Sequence, residues 1–216
     1  MISTRNLRDL TDIDGLRRLL KSLATLDLII CPEWEYRYYS FNSKWDENEQ
    51  MGSMRNGSGD EFFAWFTKAG CFFKGFDHEC EMSSWATDNQ LPWPNVYEGV
   101  PDSLRAALNE PAFSIGSVSF CFWRLYGDKM WNLGEIDFHN TDDPDGSEYM
   151  LEILNGDPVV YQSFAEEYYE QEMPLWAIKE VYAHRPLTEE IVQALNPEAT
   201  LESMAGELEE IGYPEI

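Results

Sequence analysis

Basic residues are scarce in this sequence: 15 lysines and arginines stand against 40 aspartates and glutamates, for a formal net charge of −25. A surface of that sign repels phosphate backbones and anionic lipid headgroups, and it attracts cationic molecules. The scarcity of bases therefore argues against direct binding of nucleic acid or of a membrane. A basic protein is the partner that this charge favours.

Cysteines and long apolar runs are also scarce. The four cysteines lack the dense spacing of a secreted disulfide scaffold, and the longest apolar run, residues 26–31, is interrupted by Asp27. Such a run is too short to cross a bilayer, and residues 1–8 have no apolar signal region. We therefore expect a cytoplasmic protein with reduced thiols, and we expect that it needs no metal or cofactor to fold.

Aromatic residues, in contrast, are abundant: 12 Phe, 8 Trp and 11 Tyr. Acidity alone is typical of disordered segments, but rings in this number can form a hydrophobic core. A chain of 216 residues is also long enough to bury most of its apolar surface. The composition therefore predicts a folded acidic protein.

The acidic residues are distributed unevenly. Residues 130–216 contain 21 acids and two bases, net −19, whereas residues 1–129 contain 19 acids and 13 bases, net −6. We predict a single domain over residues 1–216. Within it, residues 1–145 form a body of helix and sheet, and residues 146–216 form an acidic helical part that packs on this body. An alternative is that the acidity serves solubility alone.

The first half of the sequence has one helical pattern and several strand patterns. Leucines at helical spacing indicate a helix over residues 12–27, and an aromatic run indicates a strand over residues 34–41. The clearest signal is a hairpin over residues 62–76, with a turn at residues 68–70. Its large apolar side chains on both faces are typical of the middle of a sheet. Residues 42–60 are polar and are predicted to form a loop.

The second half changes from strand to helix patterns. Alternation predicts strands over residues 118–123 and 130–138, and capping residues predict helices that begin after Asp157, Thr188 and Thr200. This order indicates an α+β fold, in which an antiparallel sheet is built from aromatic hairpins. Helices lie at the N-terminus and in the acidic C-terminal part. For the helix after Asp157, we expect a core-facing stripe of Val160, Phe164 and Tyr168, and an outward face of Glu166, Glu167 and Glu170.

Short motifs are distributed over most of the chain, at residues 53–60, 74–79, 82–83, 110–113, 120–128 and 143–147. They resemble the pattern of a family of uncharacterised bacterial proteins. The resemblance implies a bacterial protein, and it carries over no activity. In the family pattern, Ser and Pro stand where this chain has Cys80 and Ser84, which argues against an essential chemical role for Cys80.

The candidate binding residues flank the aromatic hairpin: Arg55 and Asn56 before it, and Asp77, His78 and Glu79 after it. Arg55 is one of few cations, and we expect it to pair with Asp77 or Glu79. A histidine beside a carboxylate can take part in binding or in acid–base chemistry, because it titrates near neutral pH. The simpler interpretation is a hydrogen-bonded loop histidine.

Two patterns suggest metals without matching a metal motif. Cys71, His78 and Cys80 offer zinc ligands, but they lack the spacing of paired zinc hooks and have no evident fourth ligand. We expect Cys71 to be a core thiol. The segment from Thr141 to Glu152 partly overlays a calcium loop, with Thr in place of the first Asp. An acidic turn that caps the following helix is the preferred interpretation, so no metal site is predicted.

The sequence favours a non-enzymatic protein that binds a basic protein partner, with the charge profile of an inhibitor or an immunity protein. The alternative is a small hydrolase or transferase that uses Arg55, Asp77, His78 and Glu79. A calcium-regulated structural protein is a third possibility. A titratable cluster inside a deep pocket favours the enzyme, whereas an acidic surface with exposed aromatic rings favours the binding protein.

Overall fold

One antiparallel sheet organises the fold. The structure, a computed structural model, describes residues 1–87, 89–138 and 141–215. Five strands follow one another in the sheet in the order of the sequence. They are β1 (Tyr39–Asp46), β2 (Glu49–Arg55), β3 (Glu61–Phe66), β4 (Gly70–Phe76) and β5 (Phe120–Leu125).

Helices precede and follow this sheet, which confirms the predicted α+β fold class. The α-helices in the described part of the chain are α1 (Ile13–Ile30), α2 (Ser147–Leu151), α3 (Pro158–Tyr168), α4 (Leu175–Tyr182), α5 (Glu189–Leu195) and α6 (Leu201–Ile211). Helices α4, α5 and α6 all contact α1, and α6 also contacts β1. No helix among the described residues is long and apolar enough to cross a membrane.

The predicted aromatic hairpin is confirmed, and its first strand lies in the middle of the sheet. Strand β3 pairs with β2 on one side and with β4 on the other. Phe63, Phe66 and Phe73 are all buried, with at most 3% of their surface exposed. Rings on both faces of the hairpin are therefore covered, as the pattern of apolar residues predicts.

The two faces of the sheet are covered by different parts of the chain. Helix α1 packs on one face through its leucines, and Asp12 caps it by accepting a hydrogen bond from the backbone N–H of Gly15. On the other face, Phe63, Trp65 and Phe72 pack against buried residues between positions 96 and 118. The sheet thus separates two hydrophobic clusters.

The prediction of a loop over residues 42–60 is wrong, because β1 continues to Asp46 and β2 follows at once. Strand β2 has no alternating apolar pattern, because small residues, Gly52 and Ser53, occupy two of its four buried positions. Gly52 lies so close to α1 that an added Cβ would come within 2.9 Å of Leu20 Cδ1. The strand predicted over residues 34–41 also needs correction, since Trp34–Tyr36 form a 3-10 helix and the strand begins only at Tyr39.

The strand predicted over residues 130–138 is also wrong. Its pairing with the sheet is limited to one isolated bridge between Trp123 and Asn132. Side chains hold this segment instead: the Trp131 indole N–H donates to the Thr11 carbonyl at 2.8 Å, and the Asn132 amide donates to Asp128 Oδ2 at 2.9 Å.

Helix α3 buries a different face from the one predicted. Tyr161 and Ala165 are fully buried, whereas Tyr168 is 40% exposed. Glu166 does not face away, because its Oε1 accepts a hydrogen bond from the backbone N–H of Met173 at 3.0 Å. The reason is α4, a helix with no clear signal in the sequence, which packs against α3.

Candidate functional site

The residues predicted as a binding site lie at one end of the sheet. Arg55 ends β2, Asn56 begins the loop that leads to β3, and residues 77–79 follow β4. Because these three strands are antiparallel neighbours, Arg55, Glu61 and Phe76 stand side by side in the ladder. The structure therefore brings the two flanks of the hairpin together, and we call this group the sheet-end cluster.

Asn56 organises the loop between β2 and β3. Its Oδ1 accepts hydrogen bonds from the backbone N–H groups of Ser58, Gly59 and Asp60 at 2.9 to 3.1 Å. Its amide donates to Asp60 Oδ2 at 2.6 Å. The Asn56 side chain is thus engaged in shaping its own turn.

His78 is held by Asp60, a residue that the sequence does not single out. His78 Nδ1 lies 2.7 Å from Asp60 Oδ1, and the same oxygen accepts the backbone N–H of His78 at 3.0 Å. This hydrogen bond to Asp60 raises the pKa of His78 above its ordinary value. The contact fixes the ring, whose Nε2 lies 3.9 Å from Glu79 Oε1.

Arg55 pairs with neither Asp77 nor Glu79, contrary to expectation. Its Nε lies 3.8 Å from Glu61 Oε2. Glu61 also accepts a hydrogen bond from the fully buried Lys74 Nζ at 3.0 Å. Burial lowers the pKa of Lys74, and the Glu61 carboxylate opposes that effect. One carboxylate therefore serves two cations, and the Arg55 charge is partly neutralised within the protein.

Asp77 shapes the turn after β4. Its Oδ1 accepts the backbone N–H groups of Glu79 and Cys80 at 2.9 and 3.1 Å, and burial raises the pKa of its carboxyl. Burial also raises the pKa of the Cys80 thiol to about 12. A thiol with that pKa is not a thiolate at neutral pH, so Cys80 is a poor nucleophile.

Among the described residues, Asp77 and His78 of the sheet-end cluster form a candidate metal site with Asp60. Asp60, Asp77 and His78 each place a ligand atom within 4.8 Å of the other two. Two carboxylates and an imidazole suit a divalent cation. However, His78 Nδ1 already forms a short hydrogen bond with Asp60, which a metal would have to displace. The zinc ligands considered from the sequence are not brought together, because Cys71 is buried near the far end of β4.

The acidic turn before α2 has the geometry of a helix cap. The two carboxylate oxygens of Asp143 accept the backbone N–H groups of Glu148 and Tyr149 at 2.9 and 3.0 Å. Asp145 is buried, and it accepts hydrogen bonds from the Thr4 hydroxyl and from the backbone N–H of Ser147. Both carboxylates therefore have hydrogen-bond partners within the protein, as expected for an acidic turn that caps the following helix.

A second site is an open cavity of about 670 Å³, which we call the tyrosine pocket. Its wall combines the start of β1, helix α2 with the turn after it, and helix α3. Its aromatic and acidic lining residues include Tyr38, Tyr149, Phe164, Tyr168, Glu152 and Glu167. Because they come from three separate segments, the sequence gives no direct signal for the pocket.

The rings of the tyrosine pocket support one another. Tyr38 packs edge to face on Phe164 and on Tyr168, with ring centroids 4.9 and 4.6 Å apart. Phe164 and Tyr168 lie nearly parallel, at 5.8 Å. The stripe of Val160, Phe164 and Tyr168 that suggests a core face therefore lines a cavity.

Asp27 of α1 holds the start of β1 in place behind these rings. Its Oδ2 accepts the backbone N–H groups of Tyr38 and Tyr39 at 2.9 and 2.8 Å, and its Oδ1 accepts the Tyr161 hydroxyl at 2.7 Å. Asp27 is completely buried, and this burial raises its pKa to about 6. A buried acid thus positions the backbone from which Tyr38 projects.

Comparison of the chain with models of protein families, with curated proteins and with solved structures gives no match. The proposed function therefore depends on the geometry and the charge of this chain alone. The sheet-end cluster is closed by internal hydrogen bonds, whereas the tyrosine pocket is open and lies between the start of β1 and the acidic helices α2 and α3.

Proposed function

We propose that the protein binds a basic protein partner through its acidic C-terminal helices and is not an enzyme. The observation that carries this proposal is the amount of negative charge without a cationic partner. Residues 130–216 contain 21 acids, and among the described residues only three of these form ion pairs with basic side chains. The three are Glu207, Glu209 and Glu215.

Exposed aromatic rings adjoin the acidic part of the molecule. The Tyr168 hydroxyl donates to the Tyr36 carbonyl at 3.1 Å, so the 3-10 helix of residues 34–36 adjoins α3. Trp34 and Tyr36 are 61% and 59% exposed, and their neighbours Glu33 and Glu35 are exposed as well. Aromatic anchors supply affinity at interfaces, and surrounding charges supply selectivity and speed of association.

A small hydrolase or transferase at the sheet-end cluster is the second candidate. The observation in its favour is the His78–Asp60 contact, which resembles that of a general base held by an orienting carboxylate. The Cys80 thiol beside it is not activated. The 670 Å³ cavity is lined by other residues, so it does not bring a substrate to His78.

Charge reversal tests the binding proposal. Glu170 and Glu172 are exposed in the segment between α3 and α4, and we expect their double replacement by lysine to slow association with the basic partner. Glu166 is excluded from this set, since its contact with Met173 is structural. The matched control replaces Glu47 and Glu98, which are exposed outside the acidic part, with the same change in net charge.

The partner is captured from a lysate of the source organism and identified by mass spectrometry. We expect the wild-type protein and the control variant to recover the same basic protein, and the Glu170→Lys/Glu172→Lys variant to recover less of it. If no basic protein is recovered, and if a small substrate is turned over by the wild type but not by His78→Ala, the enzyme replaces the binding protein as the better proposal.

A further inference from the structure

We propose that the tyrosine pocket is a binding site for a small organic cation, an amine or quaternary ammonium compound with an apolar body. This site does not depend on the basic protein partner. Three properties of the pocket support it: its rings, its charge and its size.

The rings provide the surface that organic cations prefer. Aromatic faces attract ammonium groups through their quadrupole, and cages of several rings recognise quaternary ammonium ligands. Tyr38, Phe164 and Tyr168 form a contiguous cluster, and Tyr149 on α2 is 62% exposed on another wall of the same cavity. An apolar ligand body can therefore contact rings from more than one segment.

The charge of the lining has one sign. Glu152 and Glu167 contribute carboxylates, and none of the described residues that line the cavity is a lysine, arginine or histidine. Both side chains belong to exposed residues, and no salt bridge is formed by either among the described residues. A cation in the pocket thus meets two carboxylates without competition from a protein cation, whereas an anion is repelled.

The size of the cavity decides between a free molecule and a side chain of a partner protein. Sites for small molecules typically have volumes of about 300 to 1,000 Å³. The tyrosine pocket has about 670 Å³, which is more room than one lysine or arginine side chain fills. We therefore assign the pocket to a free small molecule.

Benzyltrimethylammonium is the probe that tests this inference, with benzyl alcohol as the uncharged counterpart and benzenesulfonate as the anionic one. Binding is followed by ligand-observed NMR and by isothermal titration. We expect the cation to bind, the alcohol to bind more weakly and the sulfonate not to bind. Equal affinity for the cation and the alcohol overturns the proposal, and so does the absence of cation binding.

Variants locate the bound cation. The Glu152→Gln/Glu167→Gln variant is expected to weaken cation binding by about tenfold, since two nearby carboxylates are neutralised. The control, Glu190→Gln/Glu202→Gln, has the same net charge and changes exposed acids that do not line the pocket. If both variants weaken binding equally, the cation is attracted only by the general charge of the protein, and the pocket is not its site.

Ring variants separate the aromatic contribution from folding. We expect Tyr168→Leu to weaken cation binding by about fivefold, because the removed ring makes a partly exposed cation–π contact. Tyr168→Phe keeps the ring and should bind as the wild type does, which rules out a role for the hydroxyl contact to Tyr36. Circular dichroism melts establish that each variant is folded. Unchanged binding in folded Tyr168→Leu overturns the aromatic part of the proposal.

Discussion

The buried carboxylate of Asp27 makes a measurable prediction about stability and pH. Its pKa is raised from 3.8 to about 6 by burial, although Tyr38, Tyr39 and Tyr161 all donate hydrogen bonds to it. The folded state therefore binds a proton at Asp27 more tightly than the unfolded state does. The stability that this proton contributes is fully present below about pH 4, and it is lost as the pH rises through about 6.

The size of the effect follows from the shift. One pKa unit corresponds to about 1.4 kcal/mol, so a shift of about two units corresponds to about 3 kcal/mol between low and neutral pH. Asp27→Asn removes the titration. Its Oδ1 can still accept from the two backbone N–H groups, and its amide can donate to the Tyr161 hydroxyl oxygen.

Urea unfolding from pH 4 to pH 8 measures this effect. The stability of the whole protein also depends on pH, because its net charge of −25 becomes less negative on acidification. The relevant quantity is thus the difference in free energy of unfolding between wild type and Asp27→Asn. We expect this difference to shift by about 2.5 kcal/mol in favour of the variant between pH 4 and pH 8, since pH 4 lies slightly above the ordinary pKa of 3.8. Glu202→Gln, an exposed substitution on α6, should show no such trend. A pH-independent difference for Asp27→Asn refutes the assignment of a raised pKa.

Further predictions concern packing, the sheet-end cluster and metals. Gly52→Ala should lower the free energy of unfolding by about 1 to 3 kcal/mol in the same urea experiment, because the added Cβ meets Leu20. Gly116→Ala is the control and should change this free energy little, since a Cβ added there meets nothing within 4 Å. Asp60→Asn should lower the pKa of His78, as measured by NMR titration of the ring, since the Asp60 carboxylate holds that pKa up; an unchanged pKa contradicts the role given to Asp60. A chelator should leave the thermal midpoint unchanged, because we expect no structural metal. A structural zinc contributes about 10 kcal/mol or more to folding where it is present, so a large loss of stability on chelation would reveal one.

Features of the fold that depend on local patterns could be predicted from the sequence. Helix α1 follows from its leucine spacing. The hairpin of β3 and β4 follows from two aromatic runs around a short turn. Strand β2 could not be predicted, because its buried apolar side chains, Met51 and Met54, are separated by Gly52 and Ser53 and do not alternate with polar residues, and because Gly52 is covered by the close approach of α1.

In the candidate sites too, local sequence predicts the residue types, and tertiary packing decides their partners. The flanks of the hairpin contain polar residues that the sequence displays, and strand pairing brings them together at one end of the sheet. The partners of Arg55 and His78 could not be predicted, because Glu61 and Asp60 are selected by geometry among many acids. Asp27 interrupts an apolar run, and only the fold gives it three donors.

The tyrosine pocket was the hardest feature to predict. Phe164 and Tyr168 have the spacing of a core-facing stripe, and helical periodicity cannot distinguish a filled core from the wall of a cavity. The distinction arises where the start of β1, α2 and α3 meet and leave an open cavity between their side chains. It depends on tertiary packing that no single segment encodes.

The rate of association with the captured basic protein, measured as a function of ionic strength, tests the central claim most directly. Exposed charge acts over about 8 Å at physiological ionic strength and over shorter distances at higher salt. We predict that the association rate falls as salt is raised from about 0.05 M to about 0.3 M, and that the dissociation rate changes less. At low salt, Glu170→Lys/Glu172→Lys should slow association, whereas the control Glu47→Lys/Glu98→Lys should not. An association rate that is independent of salt and equal in the two variants would contradict the claim that the acidic C-terminal helices recruit a basic partner.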